Sequence, residues 1–106
     1  MFSKEDGFLG YNEVCLEAQA KDEPWTLEWD DDYDVPFMHK GKKWVSYDNE
    51  ESVHIKAQFA HDENLAGVMV WSVETDDFRG KCGGGKFPLI RSINKALHDR
   101  EFGRRK

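Results

Sequence analysis

Leu65-Ala66-Gly67-Val68-Met69-Val70-Trp71-Ser72-Val73-Glu74-Thr75-Asp76-Asp77-Phe78 decides how this chain is read. A small-residue turn leads into an apolar run that closes on a tryptophan and passes directly into an acidic loop. A short continuous apolar run bracketed by turn and polar residues predicts a strand buried on both faces, as in parallel sheets. Trp71 then stands at the carboxyl end of that strand, where α/β folds and β/α barrels place their ligand sites. A flat aromatic at such a mouth suits a stacking platform. The pattern alone equally admits a Trp that plugs core space.

Working outward, Asp48 is expected to cap a helix that runs to about Glu63, with Glu50 and Glu51 in its first turn, where the helix dipole favours acids. Val53, Ala57 and Ala60 share one face of it, and Ile55 and Phe59 form a second stripe. Two apolar arcs suit a helix wedged between a sheet and a neighbouring helix. After the strand comes a glycine-rich loop, Arg79 to Gly85. Pro88 then opens a final helix whose stripe is Leu89, Ile90, Ile93 and Leu97. Helix, parallel strand, helix is half of an α/β repeat. Upstream, Tyr11 to Ala20 reads as a helix ended before Pro24. Trp25 to Trp29 and Val35 to His39 have strand character, and His39-Lys40-Gly41-Lys42 turns into Lys43 to Tyr47 as a hairpin.

The 106 residues suffice for one modest domain. A net charge of -6 and a pI near 5.1 argue against a nucleic-acid partner. The basic end, with Arg100, Arg104, Arg105 and Lys106, reads as a solvated tail. No stretch approaches the roughly 20 apolar residues of a membrane span, so no membrane partner is expected. The opening Met1 to Asp6 lacks the apolar core of a signal peptide. Cys15 and Cys82 have no His partners at zinc-ligand spacing, and spacing leaves a bridge or two buried thiols open. Asp30, Asp32 and Asp34 imitate an EF-hand start, but Val35 replaces the required Gly and Gly41 the required Glu. Gly83-Gly84-Gly85-Lys86 lacks the spacing and the Ser or Thr of a phosphate loop. His39, His54, His61 and His98 are scattered and read as surface residues. No metal and no cofactor are expected.

Gly67 to Phe78, with Gly80, Cys82 and Phe87-Pro88-Leu89-Ile90, resembles the last strand and helix of animal family-18 glycoside hydrolases, the chitinases and their chitinase-like relatives. Val35-Pro36-Phe37, Trp44-Val45-Ser46-Tyr47-Asp48 and Glu51-Ser52 are similar to the segment before that strand. Gly7-Phe8-Leu9-Gly10-Tyr11-Asn12-Glu13-Val14-Cys15 resembles the exit from the small insertion domain of those barrels. The likeness runs from about Lys4 to Leu97. It implies an α/β fold: the C-terminal portion of a (β/α)8 TIM barrel plus the exit of its α+β insertion domain, a partial fold. Residues 1–12 would end the insertion domain, 13–98 would form the last β/α units, and 99–106 the basic tail. A complete barrel needs about 250 residues.

By the same resemblance, Trp71 would floor the central sugar subsite, its indole packed on the C–H face of an N-acetylglucosamine ring. Met69, two residues back on the same strand face, would line the acetamido pocket. Glu5 and Phe8 would stand as cleft walls. Cys15 and Cys82 would pair, which implies an oxidising, extracellular compartment. The partner implied is chitin or N-acetylglucosamine oligosaccharides.

The family's catalytic signature, Asp-x-x-Asp-x-Asp-x-Glu, supplies the general acid, while the substrate's acetamido group serves as nucleophile. No such spacing exists here: from Asp31 the third position is Pro36, and from Asp48 it is Val53. Without an acid at the scissile oxygen the first proton transfer is lost, so this chain alone is expected to be inactive. Rival readings are a non-catalytic chitinase-like lectin or growth-factor-like secreted protein, and a truncated product whose lone strand has two open edges.

Overall fold

The computed structural model describes residues 7–20 and 24–98. Glu5 and the basic tail, 99–106, lie outside the described residues. The elements are helix α1 (Tyr11–Ala18), strands β1 (Thr26–Asp30), β2 (Val35–Lys40) and β3 (Lys43–Ser46), helix α2 (Glu50–Asp62), a single 3-10 turn (Val73–Thr75) and helix α3 (Pro88–His98).

Helix α1 begins where the Glu13 carboxylate accepts the Gly10 N–H at 3.1 Å. It stops two residues earlier than its apolar pattern suggests. The amides of Gln19 and Ala20 bond the carbonyls of Leu16 and Glu17, three residues back, which tightens and closes the last turn.

The strands form an antiparallel meander in the order β1-β2-β3. The acidic cluster makes its first turn: Asp30 Oδ1 accepts the amides of Asp32 (2.9 Å) and Tyr33 (3.1 Å), and Asp34 takes the left-handed region at φ 55°. Asp and Asn suit such turns because a short carboxylate or amide can satisfy the local backbone. In the second turn, Lys40 pairs with Lys43 around Gly41 at φ 59°. A glycine at the first central position is what a two-residue type II′ hairpin requires. Pro36 and Met38 are buried on one sheet face, and Phe37 and His39 share the other with Trp44 and Glu28. There Phe37 and Trp44 lie 6.0 Å apart, and His39 bonds Glu28 at 2.6 Å.

Asn49, rather than Asp48, caps α2. Its Oδ1 accepts the Ser52 amide and Ser52 Oγ accepts the Asn49 amide, both at 2.9 Å, a reciprocal pair that satisfies two otherwise orphaned donors. Asp48 instead accepts Ser52 Oγ and pairs with Lys56, both at 2.8 Å. At the other end, Leu65 N bonds Ala60 O and Asn64 N bonds His61 O, with Asn64 at φ 59°. This is a Schellman stop with Asn in the usual glycine position.

Helices α2 and α3 pack on one another. Val53, Ala57 and Ala60 on α2 and Ala96 on α3 are buried, and Ser92 Oγ donates to the Glu50 carbonyl at 2.8 Å. The expected stripe on α3 is only half-buried, and on the second arc of α2 Phe59 is exposed.

One expectation is corrected. Gly67 to Ser72 is not a strand buried on both faces: it carries no ladder pairing, and Val68 and Val70 are 42% and 37% exposed. A parallel strand needs a neighbour on each side for its N–H and C=O groups, and among the described residues no strand lies beside this run. Helix, unpaired run, helix is nevertheless the order of an α/β repeat, and α/β describes the chain.

Candidate functional site

The site is built around the end of the unpaired run. Met69 and Trp71 are 81% and 85% exposed, roughly twice the values of Val68 and Val70. This alternation is the signature of two side chains leaving the same side of the backbone. Trp71 joins Ser72 through a cis peptide bond, which nothing in the residue types announces. The Ser72 carbonyl accepts from Thr75 twice, through its amide at 3.0 Å and its Oγ1 at 2.7 Å. Ser72 Oγ donates to Glu74 at 2.9 Å.

Phe8, Met69 and Trp71 line one open concavity of about 1520 Å³, which also reaches Tyr11, Trp25 and Trp44. Three of the four expected sugar-contacting residues therefore come together, and the fourth, Glu5, falls outside the described residues. Trp25, Trp44 and Tyr11 were not legible as lining residues, because they come from separate elements with no common spacing. Burial, reinforced by the charges of Glu50, Asp76 and Asp77, pushes the Tyr11 hydroxyl up to about 12. Burial also raises Tyr47. Both phenols stay protonated at neutral pH.

Two acids of the stretch after Trp71 turn inward. Asp76 and Asp77 are 3% and 2% exposed, and their carboxylates hold backbone amides. Asp76 Oδ2 accepts from Ile90 (2.9 Å), and its Oδ1 accepts from Leu89 (3.2 Å) and Asp77 (2.7 Å). Asp77 accepts from Lys81 (3.0 Å) and Cys82 (2.8 Å), which folds the glycine-rich loop around it.

Cys15 and Cys82 form a disulfide with Cα atoms 5.9 Å apart. Gln19 Nε2 bonds the Cys82 carbonyl at 3.1 Å, so α1 grips this loop twice. Cys15, Asp77 and Cys82 have potential ligand atoms within 4.8 Å of one another. With both sulfurs in the bridge, no thiolate is left to bind a metal ion there.

An α/β segment with an aromatic-lined concavity and a disulfide across its helix–loop junction matches a known class. Residues 1–76 match the family model of glycosyl hydrolases family 18, and the chain belongs to that family. The oviduct-specific glycoprotein of Mesocricetus auratus is 43% identical over 102 residues, covering 95% of this chain and 15% of that protein. The crystal structure of Ostrinia furnacalis Group IV chitinase in complex with allosamidin superimposes with a TM-score of 0.86 at 45% identity, covering 91% of this chain and 25% of that one. Human YKL-39, described as a pseudo-chitinase with retained chitooligosaccharide binding properties, gives a TM-score of 0.81 at 36% identity, covering 90% of this chain and 25% of that one. The chain thus spans a quarter or less of these relatives.

Proposed function

We propose that this chain is the C-terminal part of a family-18 barrel protein and supplies the aromatic floor and one wall of a cleft for N-acetylglucosamine oligosaccharides. The observation that carries the reading is that Met69 and Trp71 leave the same side of the run and line one concavity with Phe8. The Trp71 indole face can take the apolar C–H face of a pyranose ring, with Met69 against the acetamido group and Glu5 and Phe8 as walls. Stacking of this kind is worth on the order of 1 kcal/mol beyond area burial. The antiparallel meander lies within 13–98, the stretch expected to hold the last β/α units, and hairpin-linked strands are not the parallel strands of such units.

The general acid lies outside this chain, so the chain binds without cutting. A non-catalytic, lectin-like parent is the second reading, favoured by the likeness to YKL-39, a pseudo-chitinase by its description. The disulfide supports an extracellular location for either.

Calorimetric titration with tetra-N-acetylchitotetraose, paired with chromatography of the sugar after incubation, tests the proposal. The expected result is binding without products. Trp71→Ala should weaken binding about fivefold or more and change stability by no more than about 0.5 kcal/mol, as for an exposed position. In the complete parent protein, truncating a Trp71 that only filled core space would instead cost about 3–5 kcal/mol of stability. Unchanged affinity in a folded Trp71→Ala chain overturns the platform assignment. Turnover abolished by mutating a carboxylate of this chain overturns the inactivity.

A further inference from the structure

Trp71 leaves an unpaired run and is 85% exposed, so among the described residues packing does little to aim it. The backbone that follows is held by a chain of hydrogen bonds. The Ser72 carbonyl is held twice by Thr75, and the Val73 carbonyl accepts the Asp76 amide at 3.2 Å. The chain then reaches Asp76, whose buried carboxylate is anchored to the amides of Leu89 and Ile90. These are the second and third residues of α3. Pro88 at the first position has no N–H, and Phe87 before it has no side chain that can cap. Asp76 therefore provides from a distance the cap that α3 lacks locally, and its negative charge sits at the positive end of the helix dipole. Four residues, Ser72 to Thr75, separate the rigid end of α3's clamp from the exposed ring.

Resting on the reading of Trp71 as a sugar platform, we infer that Asp76 is the positioning residue that holds Trp71 at the angle its ligand needs. It acts through the Val73–Thr75 turn and touches no sugar. Asp77 is the internal control. It is as deeply buried and holds two backbone amides where Asp76 holds three, but those two belong to Lys81 and Cys82 in the loop beyond. If burial and hydrogen bonding were all that mattered, the two aspartates would behave alike.

The experiment compares Asp76→Asn, Asp76→Ala and Asp77→Asn in the 106-residue chain with its disulfide intact, each studied where circular dichroism shows it folded. Two readings are taken: the Trp71 indole N–H resonance, assigned by its loss in Trp71→Phe, and the affinity for tetra-N-acetylchitotetraose. Asparagine keeps one acceptor oxygen but turns an N–H₂ toward backbone donors, so it loosens the clamp without removing the side chain. Asp76→Asn should shift or broaden the Trp71 indole resonance and weaken binding by about fivefold, the loss of roughly one hydrogen bond's worth of positioning. Asp77→Asn should leave both readings at the parent values. An unmoved indole resonance in folded Asp76→Asn, or equal effects from the two aspartates, overturns the inference. If the parent chain fails to bind the tetrasaccharide, the cleft reading falls, while the indole comparison still decides whether Asp76 orients Trp71. Asp76→Ala extends the series: a smaller disturbance than that of Asp76→Asn contradicts the clamp.

Discussion

Removing the Cys15–Cys82 bridge should cost this chain a large share of its stability. The two cysteines are 67 residues apart in sequence, and the bridge ties α1 to the loop between the Val73–Thr75 turn and α3. In the chain-entropy account, closing a loop of that length removes freedom from the unfolded ensemble worth about 4 kcal/mol. A small domain has roughly 5–15 kcal/mol in all, so the bridge supplies a large share. The remaining ties between the two segments are weak by comparison. Gln19 to the Cys82 carbonyl (3.1 Å) and Asn12 to the Glu74 carbonyl (3.3 Å) are exposed hydrogen bonds worth about 1 kcal/mol or less each. The assay is urea unfolding followed by tryptophan fluorescence, comparing the oxidised chain with the Cys15→Ala/Cys82→Ala double variant. Extrapolated stability should fall by about 4 kcal/mol, and by no less than the roughly 2 kcal/mol at the low end for native bridges. The urea slope should rise, because an unbridged unfolded chain expands and exposes more surface. Reductant should reproduce the loss in the parent and leave the double variant unmoved. A double variant within about 1 kcal/mol of the parent, with the same slope, would refute the reasoning.

Alkaline stability should depend on Tyr11. Its folded pKa is raised to about 12 from 10, so its contribution is complete below pH 10 and is lost as pH climbs toward 12; Tyr11→Phe should flatten that part of the urea-midpoint profile, and an unchanged profile would contradict the assignment. Gly10→Ala should destabilise by about 1–3 kcal/mol, since an added Cβ would lie 2.8 Å from Thr75 Cβ and 2.7 Å from Asn12 Oδ1. Its backbone conformation suits alanine, so a thermal melt showing a gain in stability would mean that the entropic benefit of losing a glycine outweighs the clash.

Much of the local architecture follows from short-range rules and was legible in the residues. Gly41 marks a two-residue turn, Pro88 opens a helix, and the spacing of Val53, Ala57 and Ala60 gives a buried helix face; each rests on conformational preference or periodicity within a few residues. The pairing of Cys15 with Cys82 came from likeness to a family, since spacing alone left it open, and the bridge is present. The same likeness nominated Phe8, Met69 and Trp71, and the fold brings all three to one concavity.

What the sequence could not decide was set by contacts between distant segments. Periodicity reports that Val68 to Trp71 is apolar, but not whether neighbouring strands exist to cover it, and in this chain the run is unpaired. Asp76 looks like any loop acid, because a carboxylate's partner thirteen or fourteen residues away leaves no local trace. The capping of α2 by Asn49 instead of Asp48 turned on which side chain the backbone aims at the Ser52 amide, a matter of angles rather than residue type. Short-range chemistry wrote the helices and turns; which surfaces are covered, and which charges are turned inward, was fixed only when the segments met.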